Sequence, residues 1–157
     1  MFHITVMSRQ DAIRTCHKPS NGETTAMVSI STPDTYYTQH PRKSSSVQKI
    51  CYVEFYDITT EYADDRTPVI SEDAADQIAK FVIAQHHAGT QHLIIHCDAG
   101  QSRSAGVAKA ISDFYQMPDD AIKYTREKYP NLTVSDAVKR AMQNWYESHS
   151  ETPPVCE

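Results

Sequence analysis

The apolar run Leu93-Ile94-Ile95 ends in His96-Cys97, and the residues that follow, Asp98-Ala99-Gly100-Gln101-Ser102, fit one short loop before Arg103-Ser104 opens the helical pattern Ala105-Gly106-Val107-Ala108. Strand, tight loop and helix in direct succession is the geometry that aims successive backbone N–H groups at a bound anion, with the positive helix end behind them. The same field favours a thiolate over a thiol at the mouth of the loop. Anion cradle and nucleophile therefore coincide, as attack on a phosphate ester requires.

The 157 residues suit one domain with a real core, expected over 1–149, with a frayed tail over 150–157. The start, Met1-Phe2-His3-Ile4-Thr5-Val6-Met7, has neither a basic leader nor a long apolar run, and no stretch approaches the ~20 apolar residues of a membrane span. A cytoplasmic protein without membrane partners is the expectation. The net charge of -5 argues against nucleic acid as a partner and implies that a phosphate is held by local donors, not by the global field. Cys16, Cys51, Cys97 and Cys156 show no CxxC spacing and read as free thiols.

Phe2 to Met7, Thr25 to Ser31, Ile50 to Phe55 and Leu93 to His96 read as strands. Helices are expected over Gln10 to Cys16, after the cap Ser71, over Ser104 to Tyr115, from Pro118 through Ala121, Ile122 and Tyr124 to about Lys128, and after Ser135. The polar stretch from Pro33 to Gln48 reads as an exposed loop. Strands alternating with helices predict a three-layer α/β fold, a mostly parallel sheet of 4-5 strands flanked by helices.

Within the loop, Gly100 supplies backbone freedom, Ala99 keeps it narrow, Ser102 and Ser104 bring hydroxyls, and Arg103 offers a planar fork for bidentate phosphate binding. A buried core cysteine and a surface arginine are the plain readings of Cys97 and Arg103 taken singly. Their pairing across this loop argues against both.

The segment resembles the signature of the protein tyrosine phosphatase superfamily, HCxxGxxR followed by Ser or Thr, the CX5R motif. The run RSAGVAKAISDFYQMPDDAIKYTREKYP is similar to its dual-specificity branch, in the compact form seen in bacteria and phages. The likeness spans roughly Ile50 to Trp145. It implies a phosphoric monoester hydrolase acting through a phosphocysteine intermediate on Cys97. Arg103 and the loop amides from Asp98 through Gly100 and Gln101 to Ser102 would hold the phosphoryl oxygens, and Ser104 would ease departure of the thiolate. His96 would order the loop, and Asp98 is expected to turn its carboxylate out of it. Ser104 could equally cap the helix. Where the branch often carries Pro-Asn, we read Asn131-Leu132-Thr133-Val134-Ser135.

The resemblance also implies an aspartate as general acid. Asp57 ends a strand in the family's Phe-x-Asp manner, whereas Asp64 and Asp65 lie nearer the usual spacing from Cys97. Position at a strand end favours Asp57. The expected substrate is a phosphorylated protein, phosphotyrosine with or without phosphoserine and phosphothreonine, or a small phosphomonoester. Phosphate, sulfate or vanadate would be site ligands, with no cofactor. A phosphoinositide, nucleotide or RNA 5′ end, a silent phosphate-binding module and a rhodanese-like sulfurtransferase are the other readings. Intact Cys97, Arg103 and Ser104 argue against a silent binder, and the loop length against a sulfurtransferase. His86, His87, His92 and His96 with Cys97 match no structural zinc spacing, so no metal is expected.

Overall fold

The computed structural model describes residues 1–156. Five strands form one sheet: β1 (His3–Ser8), β2 (Thr25–Ser31), β3 (Lys49–Glu54), β4 (His92–Cys97) and β5 (Ile122–Tyr124), in the order β3-β2-β4-β1-β5. Every pairing is parallel. The helices are α1 (Arg9–His17), α2 (Glu72–His87), α3 (Arg103–Tyr115) and α4 (Leu132–Ser148).

Alternation along the strands sorts the side chains into two cores. Ile4, Val6, Ala26, Val28, Ile30, Leu93 and Ile95 face α2, α3 and α4 in the larger one. Met7, Met27 and Ile94 point the other way and are covered by Ala12 and Cys16 of α1 and by Val47. The central strand β4 is apolar on both faces because helices cover both, as a parallel sheet demands. Val47 shows that the 33–48 stretch, expected as an exposed loop, also serves as cover on the α1 side.

Caps fix where helices begin. The Ser8 and Ser71 hydroxyls accept from the amides of Asp11 and Ala74. Two sequence expectations are corrected. The helix expected from Pro118 to Lys128 is a short 3-10 turn, Asp119–Ala121, followed by β5, whose Ile122, Lys123 and Tyr124 pair with Ile4, Thr5 and Val6. Ile122 and Tyr124 fit a period of two as well as a helical one, and the open edge of β1 decides. The last helix starts at Leu132, not after Ser135, because the Asn131 side chain caps it by accepting from Val134 N. Beyond α4, the amides of Glu151 and Cys156 donate to the carbonyls of Tyr146 and Tyr115, which draws the 151–156 segment against the body. Among the described residues, no helix is long and apolar enough to cross a membrane.

Candidate active site

The carboxyl ends of β1, β2, β3 and β4 finish at one edge of the sheet, the usual place for a ligand in such folds. Cys97 closes β4 and is 3% exposed, and the loop 98–102 leads into α3. Gly100 makes the loop possible. Its φ is +73°, and a Cβ there would lie 2.5 Å from Met7 C and 2.6 Å from Ser8 N. Both the backbone conformation and the close pass over β1 demand glycine.

The loop carbonyls are taken up from outside. Arg9 N donates to Asp98 O, Tyr129 N to Gln101 O and Asn131 N to Ser102 O. Among the described residues, no protein acceptor takes the amides of Ala99, Gly100, Gln101, Ser102 or Arg103. Ser102 sits at the N-cap of α3 without capping it, so the positive end of the helix stays open. A tetrahedral oxyanion over this loop would meet amides without protein acceptors and a helix terminus together.

Ser104, weighed as a cap, lies instead inside the first turn of α3, with its hydroxyl 3.0 Å from Cys97 Sγ and both groups buried. Arg103 is 5% exposed and its guanidinium is anchored on several sides. Nη1 donates to Thr32 Oγ1 and to the carbonyl of Phe55, each at 2.9 Å, and Nη2 to Asp98 Oδ2 at 3.0 Å. A fork held this way meets a ligand without first losing rotamer freedom.

Asp98 is half-exposed but does not hang free in solvent. Its Oδ1 accepts from Arg9, and its Oδ2 accepts from Arg103, the Tyr37 hydroxyl and Thr32. Burial alone would raise its pKa. Arg103, the Tyr37 hydroxyl and Arg9 outweigh that and hold the carboxyl below its ordinary range.

His96 is fully buried between two acceptable partners. Its Nδ1 lies 3.1 Å from the Cys97 carbonyl, which can only accept, so Nδ1 carries the proton and Nε2 accepts from the Ser29 hydroxyl at 2.6 Å. Burial pushes its pKa down from 6.5 to about 4, so the ring is a neutral strut and not a base. The unfolded chain takes up a proton below pH 6.5 that the native ring refuses, so stability falls as pH drops from 6.5 towards 4. Between pH 7 and pH 5 His96 should account for a loss of about 2 kcal/mol. Urea unfolding of wild type and His96→Gln at both pH values checks this: the variant should show a shallower pH dependence, and an identical one would refute it.

The three aspartates expected as proton donors lie in different settings. Asp57 stands at the edge of the loop, where its Oδ1 accepts from the Ser102 hydroxyl at 2.7 Å and from Asn131 Nδ2 at 2.9 Å. Asp64 folds back on its own turn, accepting from Arg66 N, Thr67 N and the Thr67 hydroxyl. Those bonds, Thr67 N first, keep its pKa below the ordinary value. Asp65 is exposed. In the segment that begins at Asn131, directly after Pro130, the Asn131 side chain donates to both Asp57 and the carbonyl of Ile58. A Cβ on Gly106 would lie 2.5 Å from the Asn131 carbonyl, so glycine lets α3 approach that corner.

Arg9, Ser29 and Thr32 carry no local signal in the sequence because they come from other strands and loops. The histidines and Cys97 considered for zinc do not converge. His92 instead meets His3 and Glu23 at the opposite end of the sheet, where Glu23 accepts from His3 at 3.2 Å.

No protein-family profile and no curated protein matches the sequence. Among solved structures, human DUSP28 superposes with a TM-score of 0.56 at 16% identity, covering 92% of this chain and 94% of that one. A mouse putative dual specificity phosphatase, crystallised with zinc tungstate, gives 0.47 at 16% identity over 90% of this chain and 79% of its own. PTPMT1 gives 0.47 at 18% identity over 80% and 81%. The likeness to DUSP28 runs through nearly the whole of both chains, and the protein has the fold of the dual-specificity phosphatases.

Proposed function

We propose that the protein is a cysteine-dependent phosphatase that hydrolyses phosphotyrosine, and as a dual-specificity enzyme also phosphoserine and phosphothreonine, through a cysteinyl-phosphate. The observation that carries this reading is the Cys97 sulfur, 3.0 Å from the Ser104 hydroxyl, at the mouth of a loop with unpaired amides and an anchored Arg103 fork. The Cys97 thiolate attacks phosphorus, the S–P bond forms, and the P–O bond to the leaving group breaks. Asp57 gives its proton to the departing oxygen. The loop amides and Arg103 stabilise the equatorial oxygens throughout. In the second step water attacks phosphorus, Asp57 takes back a proton from it, and the S–P bond breaks. The Ser104 hydroxyl donates to the sulfur as it leaves as thiolate.

Asp57 is favoured over Asp64 and Asp65 because it alone touches the loop, through Ser102. Hydrolysis of an aryl phosphate, inhibited by vanadate, is the expected activity. Asp57→Asn should lower kcat by about 10²–10⁴ while Asp64→Asn and Asp65→Asn stay near wild type. Full turnover by Asp57→Asn would remove it from the mechanism, and a wild-type protein inert towards aryl phosphates and peptides would overturn the phosphatase reading.

A further inference from the structure

We propose that Arg9 is a positioning residue of the site, acting through Asp98 to hold the Arg103 fork ready for an oxyanion before any ligand arrives. The kinetic consequences rest on the phosphatase reading, whereas the binding consequences do not.

Arg9 opens α1 at the carboxyl end of β1 and is buried, 9% exposed. A buried guanidinium persists only if its donors are matched. Here Nη2 donates to the Ile30 carbonyl at 3.1 Å and to the Ser31 hydroxyl at 2.8 Å, and the cation lies 3.8 Å from the Tyr37 ring centre. Nε and Nη2 both reach Asp98 Oδ1, at 3.2 and 3.3 Å, and the Arg9 amide reaches the Asp98 carbonyl. Nη1 is 3.4 Å from His40 Nδ1.

The division of the Asp98 carboxylate is the telling point. Oδ1 belongs to Arg9, and Oδ2 belongs to Arg103, with Thr32 and Tyr37 as further donors. Swinging Asp98 towards solvent would take its carboxylate away from two buried guanidiniums and leave them only neutral acceptors, which is costly. Its negative charge alone would oppose an incoming phosphate, and two guanidiniums turn that corner net positive. Arg9 therefore does two things at once: it cancels the charge of Asp98 and locks the geometry through which Asp98 orients Arg103. It touches neither Cys97 nor the expected phosphoryl position through any bond seen.

The test uses the whole chain, with tungstate binding by calorimetry and aryl phosphate turnover as separate readouts. Arg9→Met should weaken tungstate binding about tenfold or more and raise KM more than it lowers kcat, because a loosened fork loses binding shared by ground and transition states. Arg9→Lys keeps the charge but not the fork and should recover only part of the loss. In an Asp98→Asn background, Arg9→Lys should cost little further, because the route through Asp98 is already cut. Should Arg9→Met fail to fold, Arg9→Lys decides. Folded Arg9 variants with wild-type tungstate affinity overturn the proposal, as does a penalty for Arg9→Lys that is undiminished beside Asp98→Asn. A wild type that binds tungstate but hydrolyses nothing defeats the phosphatase reading and leaves the binding arm intact.

Discussion

Replacing Cys97 with serine should abolish turnover, by a factor of about 10⁵ or more, while leaving tungstate binding undiminished. The two outcomes separate because the two functions reside in different atoms. Nucleophilic attack needs the sulfur of Cys97, and a serine hydroxyl in the same place is a far poorer nucleophile. Oxyanion binding needs the amides of the loop and the Arg103 guanidinium, which is fixed by Thr32, the Phe55 carbonyl and Asp98 and not by Cys97. Single-turnover assays on an aryl phosphate, with calorimetry on the same preparation, read both. Residual hydrolysis near the wild-type rate would mean that the nucleophile lies elsewhere. A phosphorylated protein retained by Cys97→Ser from solution would identify the substrate directly.

Gly100→Ala should be the most damaging substitution outside the reacting groups. The added Cβ would lie 2.5 Å from Met7 C, 2.6 Å from Ser8 N and 2.8 Å from Met7 O, all of them backbone atoms of β1 and its end, which cannot rotate away. The positive φ adds its own cost for any residue with a side chain. Clash and strain together should remove about 3 kcal/mol of stability, or about 10 °C in Tm. The relaxation that relieves the clash must push the loop away from β1 and so misdirect the amides of the cradle. Tungstate binding should therefore be lost even in the folded fraction. A Gly100→Ala protein with wild-type Tm and affinity would show that the loop does not need this close pass.

The local structure around Cys97 was legible because it is contiguous. His96 to Ser104 is one unbroken run, and a β strand, a glycine loop and a helix start follow from residue types read in order. The cap Ser71, the strand alternation and the parallel character of the sheet are likewise short-range. The failures share a cause. Ile122 and Tyr124 satisfy both periods, and only the free edge of β1 makes them a strand. The Pro130-Asn131 pair was visible in the sequence, but its part in the site became apparent only with Asn131 Nδ2 at 2.9 Å from Asp57.

By itself, the sequence determined the first four strands, the helices that follow them and the turn from His96 to Ser104 with its thiol and arginine, since all depend on neighbours a few residues apart. Tertiary structure decided which aspartate stands at the loop, and that the Asp98 carboxylate is shared between two arginines. Asp57 reaches the loop through Ser102, and Arg9 reaches it through Asp98, across separations of 45 and 89 residues. Contacts of that range are made by the register of β1, β2 and β4, which brings the ends of strands distant in sequence to one edge. Hydrophobic patterning specifies that register only collectively, through which faces must be buried.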